Sequence, residues 1–394
     1  MLNMLKLPVY LDHNATTPCD PRVVEAMLPF FSQQFGNAAS RNHSFGWQAE
    51  EAVNQSREQI AGLIGADPKE IIFTSGATES TNLALKGAFE MYQVKGNHII
   101  TTAIEHKAVL DTCRHLESLG AKVTVLSVNS DGLVDPAALE AAITPETILV
   151  AIQFANNETG VIQRVNEIGL IAKKHSVLFF SDATQAVGKI PVNVNTNGID
   201  LMAFSAHKLY GPKGAGALYI RRKNPRVKLR AQMFGGGHEN NLRSGTLNVP
   251  GIVGFGKACE IATEDMEADA ANTSRLRDYL ESSLTNAVKC IINGSLTNRL
   301  PHVTNIRFPD VEAESLIMGI NKNIAVSSGA ACTSATIQPS HVLKAMGMDD
   351  EQAFSSIRFG LGKKTNDVEI DYTIKLITET VNKLRSMAHG AITA

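Results

Sequence analysis

Short apolar runs alternate with helical patterns between Ile71 and Ile220. The runs EIIFT, HIITTAIE, ILVAIQFA and VLFF each predict a buried strand that leads into a turn or an amphipathic stretch, and DLMAF and GAGALYI predict two more strands. Alternating β and α units of this length are typical of a sheet that helices cover on both faces. The pattern therefore predicts an α/β domain with a mostly parallel sheet.

The pattern changes near Gly251. The segment EIATEDMEADAANTSRLRDYLESSL predicts a long helix with a polar face, and the strand candidate HVTNIRF and two more helices follow it. This order of elements predicts a second, smaller α+β domain that begins around Cys259.

Composition narrows the functional class. The chain has 394 residues, of which 44% are hydrophobic and 19% charged, as in a soluble globular protein with a sizeable core. A net charge of −2 and the lack of a basic stripe argue against nucleic-acid binding. Five scattered cysteines form no CxxC pair and no metal-ligand spacing, which indicates a reduced intracellular protein. We expect a cytoplasmic protein, because no stretch resembles a secretory leader or reaches membrane-spanning length.

Polar side chains follow five successive predicted strands. In chain order they are Ser75 and Thr78 at a helix start, His106, Asn156 and Asn157, Asp182 and Gln185, and Ser205, His207 and Lys208. Each has an ordinary explanation, such as helix capping for Thr78 or a turn for an asparagine. However, ligands of open parallel sheets bind at the carboxyl ends of the strands, and the whole set suits one small anionic ligand.

Lys208 stands directly after the apolar run DLMAF. Burying an unpaired lysine is costly, so it is either a surface cation or an amine that does chemistry. An aldehyde cofactor with a phosphate and a pyridine ring suits the set, since Lys208 could bind the aldehyde covalently. Asp182 would keep the ring nitrogen protonated, because a charge pair at ~4 Å and an effective dielectric near 20 contributes about 4 kcal/mol. The other roles are a hydrogen bond from Gln185 to the ring hydroxyl, stacking and proton transfer by His106, and phosphate binding by Thr78, Ser205 and His207.

Two other kinds of ligand site, a metal site and a dinucleotide-binding loop, fit the sequence less well. His98, Glu105 and His106 do not have zinc-ligand spacing, so we expect no resident metal site. The segment GPKGAG, residues 211–216, follows HKLY rather than a strand and leads into another strand, so it is not a dinucleotide-binding loop.

Cys332 lies in AVSSGAACTSATIQPS, a segment of small residues. Most cysteines in such a setting are inert packing residues. Since these neighbours have little to bury, the segment predicts a mobile loop whose thiol reaches a reaction partner. Arg358, in the strand-like run SSIRFGLG, could bind a substrate carboxylate or form an ion pair.

Together these motifs resemble those of the pyridoxal-phosphate-dependent cysteine desulfurases of the IscS/NifS type, in the class V aminotransferase group of fold type I. The matching stretches occur in the family's order and cover nearly the whole chain: YLDHNATTP, FTSGATES, IEHKAVL, NNETG, DATQ, FSAHKLYGPKG, RSGT, SSGAACTS and SSIRFGLG. The resemblance implies a large cofactor-binding domain at residues 18–258. It implies a small domain, comprising residues 1–17 and 259–394, that carries the mobile cysteine loop.

The resemblance also implies residue roles. Lys208, Cys332 and His106 would be catalytic, and Cys332 would take the sulfur of L-cysteine as a persulfide while alanine is released. Pyridoxal 5'-phosphate would be bound by Ala77, Thr78, His106, Asn157, Asp182, Gln185, Ser205, His207, Lys208 and, from the other subunit of a homodimer, Thr246. Asn14, Asn157 and Arg358 would bind the substrate. Cys332 is in addition a candidate for a transient Fe–S cluster ligand.

The implied function is transfer of sulfur to an acceptor protein for Fe–S cluster or thiocofactor assembly, without nucleic-acid or membrane partners. GGGHENN departs from the family, because Asn240 and Asn241 stand where relatives usually have Arg-Gly, and SMAHGAITA lacks the usual C-terminal extension that engages the scaffold protein. A selenocysteine lyase and a class V aminotransferase are the alternative enzymes, and a partner-binding subunit without activity is a third possibility. Cys332 argues against the aminotransferase, and the presence of Lys208, Asp182 and Cys332 together argues against an inactive subunit.

Overall fold

The computed structural model describes residues 5–328, 331–333 and 336–392, with side chains for 5–328 and 338–388. The strands are β1 (Val9–Tyr10), β2 (Ile71–Thr74), β3 (His98–Thr102), β4 (Lys122–Leu126), β5 (Thr147–Ala151), β6 (Leu178–Asp182), β7 (Leu201–Ser205), β8 (Gly216–Ile220), β9 (Ile291–Ile292), β10 (Val303–Arg307), β11 (Ile324–Ala325), β12 (Ser327–Ser328), β13 (Ala331–Thr333), β14 (Thr336–Gln338) and β15 (Ser356–Gly360).

The helices occupy the segments between these strands. They are α1 (Pro21–Met27), α2 (Pro29–Ser32), α3 (Ser44–Ile64), α4 (Ala77–Tyr92), α5 (Lys107–Ser118), α6 (Pro136–Ala142), α7 (Val165–Lys174), α8 (His238–Asn241), α9 (Val249–Ala287), α10 (Ala313–Ile320), α11 (His341–Ala345), α12 (Asp350–Phe354) and α13 (Asp367–Ile392). No described helix is long and apolar enough to cross a membrane.

The first sheet has seven strands in the order β2-β8-β7-β6-β5-β3-β4. Strands β3 to β7 are parallel, whereas β8 runs antiparallel to both β7 and β2. All six predicted strands are present, and the mostly parallel arrangement is confirmed. β5, β6 and β7 are buried along their whole length, which explains their continuous apolar runs.

Strand β4 was not predicted. It lies at the edge of the sheet, and only Leu126 of its five residues is buried. Since an edge strand with solvent on one side shows no long apolar run, its signal in KVTVL is weaker than that of its neighbours.

A second sheet has the order β12-β15-β10-β9 and is antiparallel. Its core combines residues 276–381 with Val9 and Leu11 from the beginning of the chain. Helix α9 joins the two cores, because Phe255 packs with the first sheet and Leu280 with the second. The predicted domain boundary at 258/259 therefore lies inside one continuous helix of 39 residues.

Candidate active site

A cavity of about 670 Å³ lies at the carboxyl ends of the parallel strands. It is lined by Asn14, Ala15, Thr16, Ser75, Gly76, Ala77, Thr78, Glu79, His106, Ala108, Gln153, Ala155, Asn157, Asp182, Thr184, Gln185, Ser205, His207, Lys208, Lys213, Gly214 and Arg358. The structure thus brings together eleven of the thirteen site residues expected from the sequence. Thr246 is exposed and does not line the cavity, and the side chain of Cys332 lies outside the described part.

The N-terminus of α4 opens into this cavity. Its N-cap is Gly76, with no side-chain cap, and Thr78 lies within the first turn, so capping does not explain that threonine. A Cβ on Gly216 of β8 would lie 2.4 Å from the Gly76 Cα, so the two backbones can approach only because residue 216 is glycine. An uncapped helix start with free N–H groups and a positive dipole end suits an anion.

Lys208 follows β7 through a single turn of 3-10 helix and reaches the cavity wall. Its Nζ donates to the Ala15 carbonyl at 2.8 Å and to the Asn14 carbonyl. Burial lowers the pKa of this amine to about 8, and the charge of Arg358 acts in the same direction. At neutral pH about a tenth of the amine is therefore unprotonated, far more than for a solvated lysine.

Asp182 is the last residue of β6, and Gln185 follows it on the same wall. Asp182 is buried, and its Oδ1 accepts the Thr184 N–H at 3.0 Å. Gln185 exchanges two hydrogen bonds with Asn14: its Nε2 donates to the Asn14 carbonyl at 3.1 Å, and its Oε1 accepts from Asn14 Nδ2 at 3.3 Å. A carboxylate and an amide are thus fixed beside the lysine.

His106 is the N-cap of α5. Its Nδ1 accepts the Ala108 N–H at 3.1 Å, so a neutral ring carries its proton on Nε2. The side chain lines the cavity, which makes Nε2–H the group available to a ligand. The structural role and the predicted functional role are therefore compatible.

His207 and Ser205 lie at the end of β7. The ring of His207 bonds Thr16 Oγ1 through Nδ1 at 3.1 Å, and Ser205 Oγ donates to the Ala215 carbonyl at 3.3 Å. Burial lowers the pKa of His207 to about 4, aided by the charges of Lys208 and Lys213. His207 is therefore neutral at pH 7 and acts by hydrogen bonding.

Arg358 comes from β15 of the second sheet and faces the cavity from the other side. Its Nη2 pairs with Asp12 Oδ1 at 2.6 Å, and its Nη1 donates to the Asn157 carbonyl at 3.0 Å. The Nε–H is buried and has no hydrogen-bond partner among the described residues. Arg358 therefore forms the ion pair that the sequence offered as one alternative, and its binding of a substrate carboxylate stays a prediction.

A second cavity of about 790 Å³ adjoins the first and shares His106, Asn157 and Arg358 with it. Ser327 and Gln338 line it, on either side of the Cys332 segment along the chain. The described backbone of that segment, strands β13 and β14, pairs antiparallel, where the sequence predicted a mobile loop. The predicted role of Cys332 stays a prediction.

Several cavity residues were not predicted from the sequence. Lys213 lies in the Gly/Pro-rich turn after Lys208, and Gln153 follows β5. Glu79 of α4 accepts the Ser75 N–H at 2.7 Å and Arg243 Nε at 2.8 Å, so it orders the loop before the helix. Gln153 follows a strand like the residues that were named, so the same strand-end rule could have found it.

Glu105 lies beneath the cavity wall. Its Oε1 accepts from Thr102 Oγ1 at 2.8 Å and from the Gln153 N–H at 2.9 Å, whereas Oε2 is buried without a partner among the described residues. Burial raises the pKa of this carboxyl to about 8, and the charge of Asp182 adds to the effect. Glu105 is therefore neutral at pH 7, and Asp182 carries the local negative charge.

These residues fit the cofactor expected from the sequence. A phosphate needs N–H and hydroxyl donors, which the start of α4 and Thr78 offer. A protonated pyridine nitrogen needs a buried carboxylate, which is Asp182, and an aldehyde needs an amine of lowered pKa, which is Lys208. The fit rests on the donor set around one cavity.

Comparisons with known proteins agree with this cofactor and show the family of the chain. Residues 9–373 match the aminotransferase class-V family. The chain is 55% identical over 385 residues to a protein of Anaeromyxobacter dehalogenans named cysteine desulfurase IscS. The match covers 98% of this chain and 95% of the relative. It is 56% identical over 384 residues to the protein of that name from Methylococcus capsulatus, with the same coverage.

Solved structures agree in fold. A NifS-like protein superposes with a TM-score of 0.89 at 40% identity, covering 95% of this chain and all of that one. The structure of SspA in complex with cysteine gives a TM-score of 0.80 at 37% identity, covering 91% of this chain and all of that one. The chain belongs to the aminotransferase class-V family and has the fold of its NifS-like, pyridoxal-phosphate-dependent members.

Proposed function

We propose that the chain is a pyridoxal-phosphate-dependent cysteine desulfurase, which converts L-cysteine to L-alanine and passes the sulfur to an acceptor. The observation that carries the proposal is the convergence of Lys208, Asp182 and the uncapped start of α4 in one cavity, with Arg358 facing them. The relatives named cysteine desulfurase IscS support the same activity.

The cofactor would be held at three points. Ala77, Thr78, Ser205 and His207 would bind its phosphate, with Thr246 of a second subunit, and Asp182 and Gln185 would bind its ring. When bound, the cofactor supplies an electron sink that makes bonds to the substrate's α and β carbons easier to break. Lys208 would hold its aldehyde, because the buried amine is partly neutral at pH 7.

Arg358 would bind the carboxylate of cysteine. Its guanidinium lines the cavity and is oriented by Asp12 and the Asn157 carbonyl, so its positive charge can attract a carboxylate there. Asn14 and Asn157 line the same cavity and would complete the substrate site. The bound SspA–cysteine structure shows that a relative of this fold accepts the same amino acid.

Protons would move at two groups. The Nε2 of His106 faces the cavity while its Nδ1 is held by the Ala108 N–H, so the ring keeps its orientation during transfer. Lys208, whose pKa of about 8 is close to neutral pH, can accept and return a proton.

Cys332 would receive the sulfur. Its thiolate attacks the sulfur of the substrate, so that an S–S bond forms and the C–S bond breaks. The electron pair of the C–S bond goes to carbon, which takes up a proton and becomes the methyl group of alanine. The sum, cysteine plus enzyme thiol giving alanine plus enzyme persulfide, needs no external oxidant or reductant.

A homodimer would complete the site. Four large aromatic side chains are exposed: Phe31 and Phe35 are 63% exposed, Trp47 56% and Phe234 85%. Large exposed apolar side chains of this kind are typical of a surface that a partner covers. Thr246 is exposed and outside the cavity of its own chain, in keeping with a role in the partner's phosphate site.

The sulfur acceptor would be a protein of Fe–S cluster or thiocofactor assembly, and the enzyme would act in the cytoplasm. Ser327, Gln338 and Arg114 line the cavity next to the Cys332 segment, and the acceptor's thiol would approach there.

The test is intact-mass analysis after brief exposure to L-cysteine without reductant. We expect one added sulfur, located on Cys332 by peptide mapping, and a matching amount of alanine. Cys332→Ser should keep the cofactor and gain no sulfur. Cys290→Ser, which changes a half-buried cysteine of the second-sheet core, should behave like the wild type.

Alanine without sulfur on Cys332 would favour a selenocysteine lyase type of reaction. Formation of a keto acid instead of alanine would favour an aminotransferase. Either result would contradict the proposal.

A further inference from the structure

The chain turns sharply just after Lys208. Gly211 N–H donates to the Ala206 carbonyl at 2.9 Å, so the turn closes around the lysine. Tyr210, in the middle of the turn, has a φ of 65°, a left-handed conformation that a tyrosine adopts only where its surroundings hold it. The mechanism proposed above assigns no role to this buried residue.

Every polar group of Tyr210 has a partner. Its N–H donates to Thr17 Oγ1 at 2.9 Å, and its carbonyl accepts the Asp20 N–H at 2.9 Å. Its hydroxyl accepts the backbone N–H of Lys363 at 2.7 Å. The first two partners belong to the N-terminal segment 12–20, and the third lies five residues beyond Arg358 along the chain.

Two lysines contact the ring of Tyr210. Lys363 Nζ lies 4.5 Å from the ring centroid, and Lys189 Nζ lies 4.1 Å from it. Lys363 is also paired with Asp20 at 2.6 Å, and both side chains are almost fully buried. The contact of Lys363 thus attaches the second-sheet side to the tyrosine ring, and the ion pair of Lys363 with Asp20 attaches it to segment 12–20.

Segment 12–20 contacts both sides of the cavity. Asp12 pairs with Arg358, and the carbonyls of Asn14 and Ala15 accept from Lys208. Thr17 Oγ1 donates to the His207 carbonyl at 2.8 Å, in addition to accepting from Tyr210. Segment 12–20 therefore connects Lys208 to Arg358. Its hydrogen bonds with the backbone of Tyr210 hold it against the turn that follows Lys208.

We propose that Tyr210 is a positioning residue that acts through the backbone of Lys208 and fixes this lysine relative to Arg358. The proposal rests on the proposed function, since it assigns Lys208 to the cofactor and Arg358 to the substrate carboxylate. Without the hydroxyl, the Lys363 N–H loses its partner, and the turn that carries Lys208 is free to shift against the second sheet.

The experiment compares the holoenzyme with its Tyr210→Phe and Tyr219→Phe variants. Tyr219 is a matched control, because it is a fully buried tyrosine whose hydroxyl has no partner among the described residues. The first readout is the pH titration of the visible absorbance of the Lys208-bound cofactor, without substrate. The second is the steady-state kinetics of alanine formation, and the third is thermal unfolding.

For Tyr210→Phe we expect the titration midpoint to shift by about half a pH unit or more. We expect kcat/KM for L-cysteine to fall about tenfold, because a small misplacement of a reacting group is costly. Tyr219→Phe should leave both readouts unchanged. An unchanged titration and unchanged kinetics in Tyr210→Phe, with only a lower Tm, would show a structural role and overturn the proposal.

A second pair of variants covers the case in which Tyr210→Phe does not fold. Thr17→Val removes the hydroxyl that joins the His207 carbonyl to the Tyr210 N–H, and Thr17→Ser keeps it. Thr17→Val should shift the titration as Tyr210→Phe does, and Thr17→Ser should restore the wild-type midpoint. Equal midpoints in the two variants would contradict the proposal.

The substrate-free titration separates this proposal from the function above. If the wild type made no alanine from cysteine, the proposed activity would fail, while the titration would still report on the position of Lys208. Conversely, a normal titration in Tyr210→Phe would leave desulfuration intact as a function and remove only the positioning role.

Discussion

The two sides of the cavity are built differently. On the first-sheet side, Asp182 is the last residue of β6 and Lys208 follows β7, so backbone pairing between buried parallel strands sets their positions. On the second-sheet side, Arg358 lies in an antiparallel strand and is oriented by side-chain and carbonyl contacts with Asp12 and Asn157. The first side is fixed by the sheet, and the second is fixed by contacts between segments distant in sequence.

This difference indicates a division of labour. The rigid side carries the groups that suit a cofactor, and the second side carries those expected to meet the substrate. Changes on the first-sheet side should therefore impair the cofactor chemistry itself. Changes on the second-sheet side should leave the cofactor bound and impair the handling of cysteine.

The largest effect is expected for Lys208→Ala. Without the amine, the covalent attachment of the cofactor is lost, and alanine formation should fall at least about a thousandfold. Visible absorbance and alanine release measure the two losses. If the variant kept more than about a tenth of wild-type activity, Lys208 would not be the lysine on which the reaction depends.

The next largest effect is expected for Asp182→Asn. Loss of a charge pair that contributes about 4 kcal/mol would leave the ring nitrogen unprotonated, and kcat should fall about a hundredfold while cofactor is still bound. Asp200→Asn is the control. Asp200 is a buried aspartate just before the amino-terminal end of β7, away from the cavity, and it pairs with Arg221. It should lower the Tm and leave kcat unchanged. Equal losses of kcat in both variants would indicate a general structural effect.

Arg358→Lys tests the second-sheet side. Lysine cannot reproduce the planar guanidinium that Asp12 and the Asn157 carbonyl orient, so KM for L-cysteine should rise about tenfold. The absorbance of bound cofactor should not change. Loss of cofactor from this variant would break the proposed division between the two sides.

The smallest effect is a pH dependence on the first-sheet side. Burial lowers the pKa of Lys208 to about 8, and only the neutral amine attacks an aldehyde. The rate of cofactor uptake by the apoenzyme should therefore rise about fivefold from pH 7 to pH 8 and level off above pH 9. Stopped-flow absorbance measures this rate. A rate that kept rising steeply to pH 10 would indicate an unshifted lysine.

The sequence predicted the rigid side well, because the information is local. The apolar runs VLFF and DLMAF end within two residues of the ends of β6 and β7, and the carboxyl ends of parallel strands lie together, so Asp182 and Lys208 could be placed together without coordinates. Thr78 was also placed correctly, although its alternative role as a cap was wrong, since Gly76 begins α4.

The second-sheet side was less predictable, because its contacts join residues far apart in the chain. Arg358 and Asp12 are separated by 346 positions, and Lys363 and Asp20 by 343. No periodicity encodes such pairs. The left-handed conformation of Tyr210 also had no sequence signal, because it results from partners in segment 12–20 and near Lys363. The raised pKa of Glu105 likewise depends on burial that only the fold reveals.

The central claim is that Lys208 at the end of β7 is the lysine that binds the cofactor. Its most direct test is borohydride reduction of the holoenzyme, followed by peptide mapping of the pyridoxyl group. Two other lysines are the alternatives: Lys213 lines the same cavity, and Lys189, which does not line it, has a buried amine with a pKa lowered to about 7. We expect the label to lie on Lys208 alone. A label on Lys213 or Lys189 would contradict it.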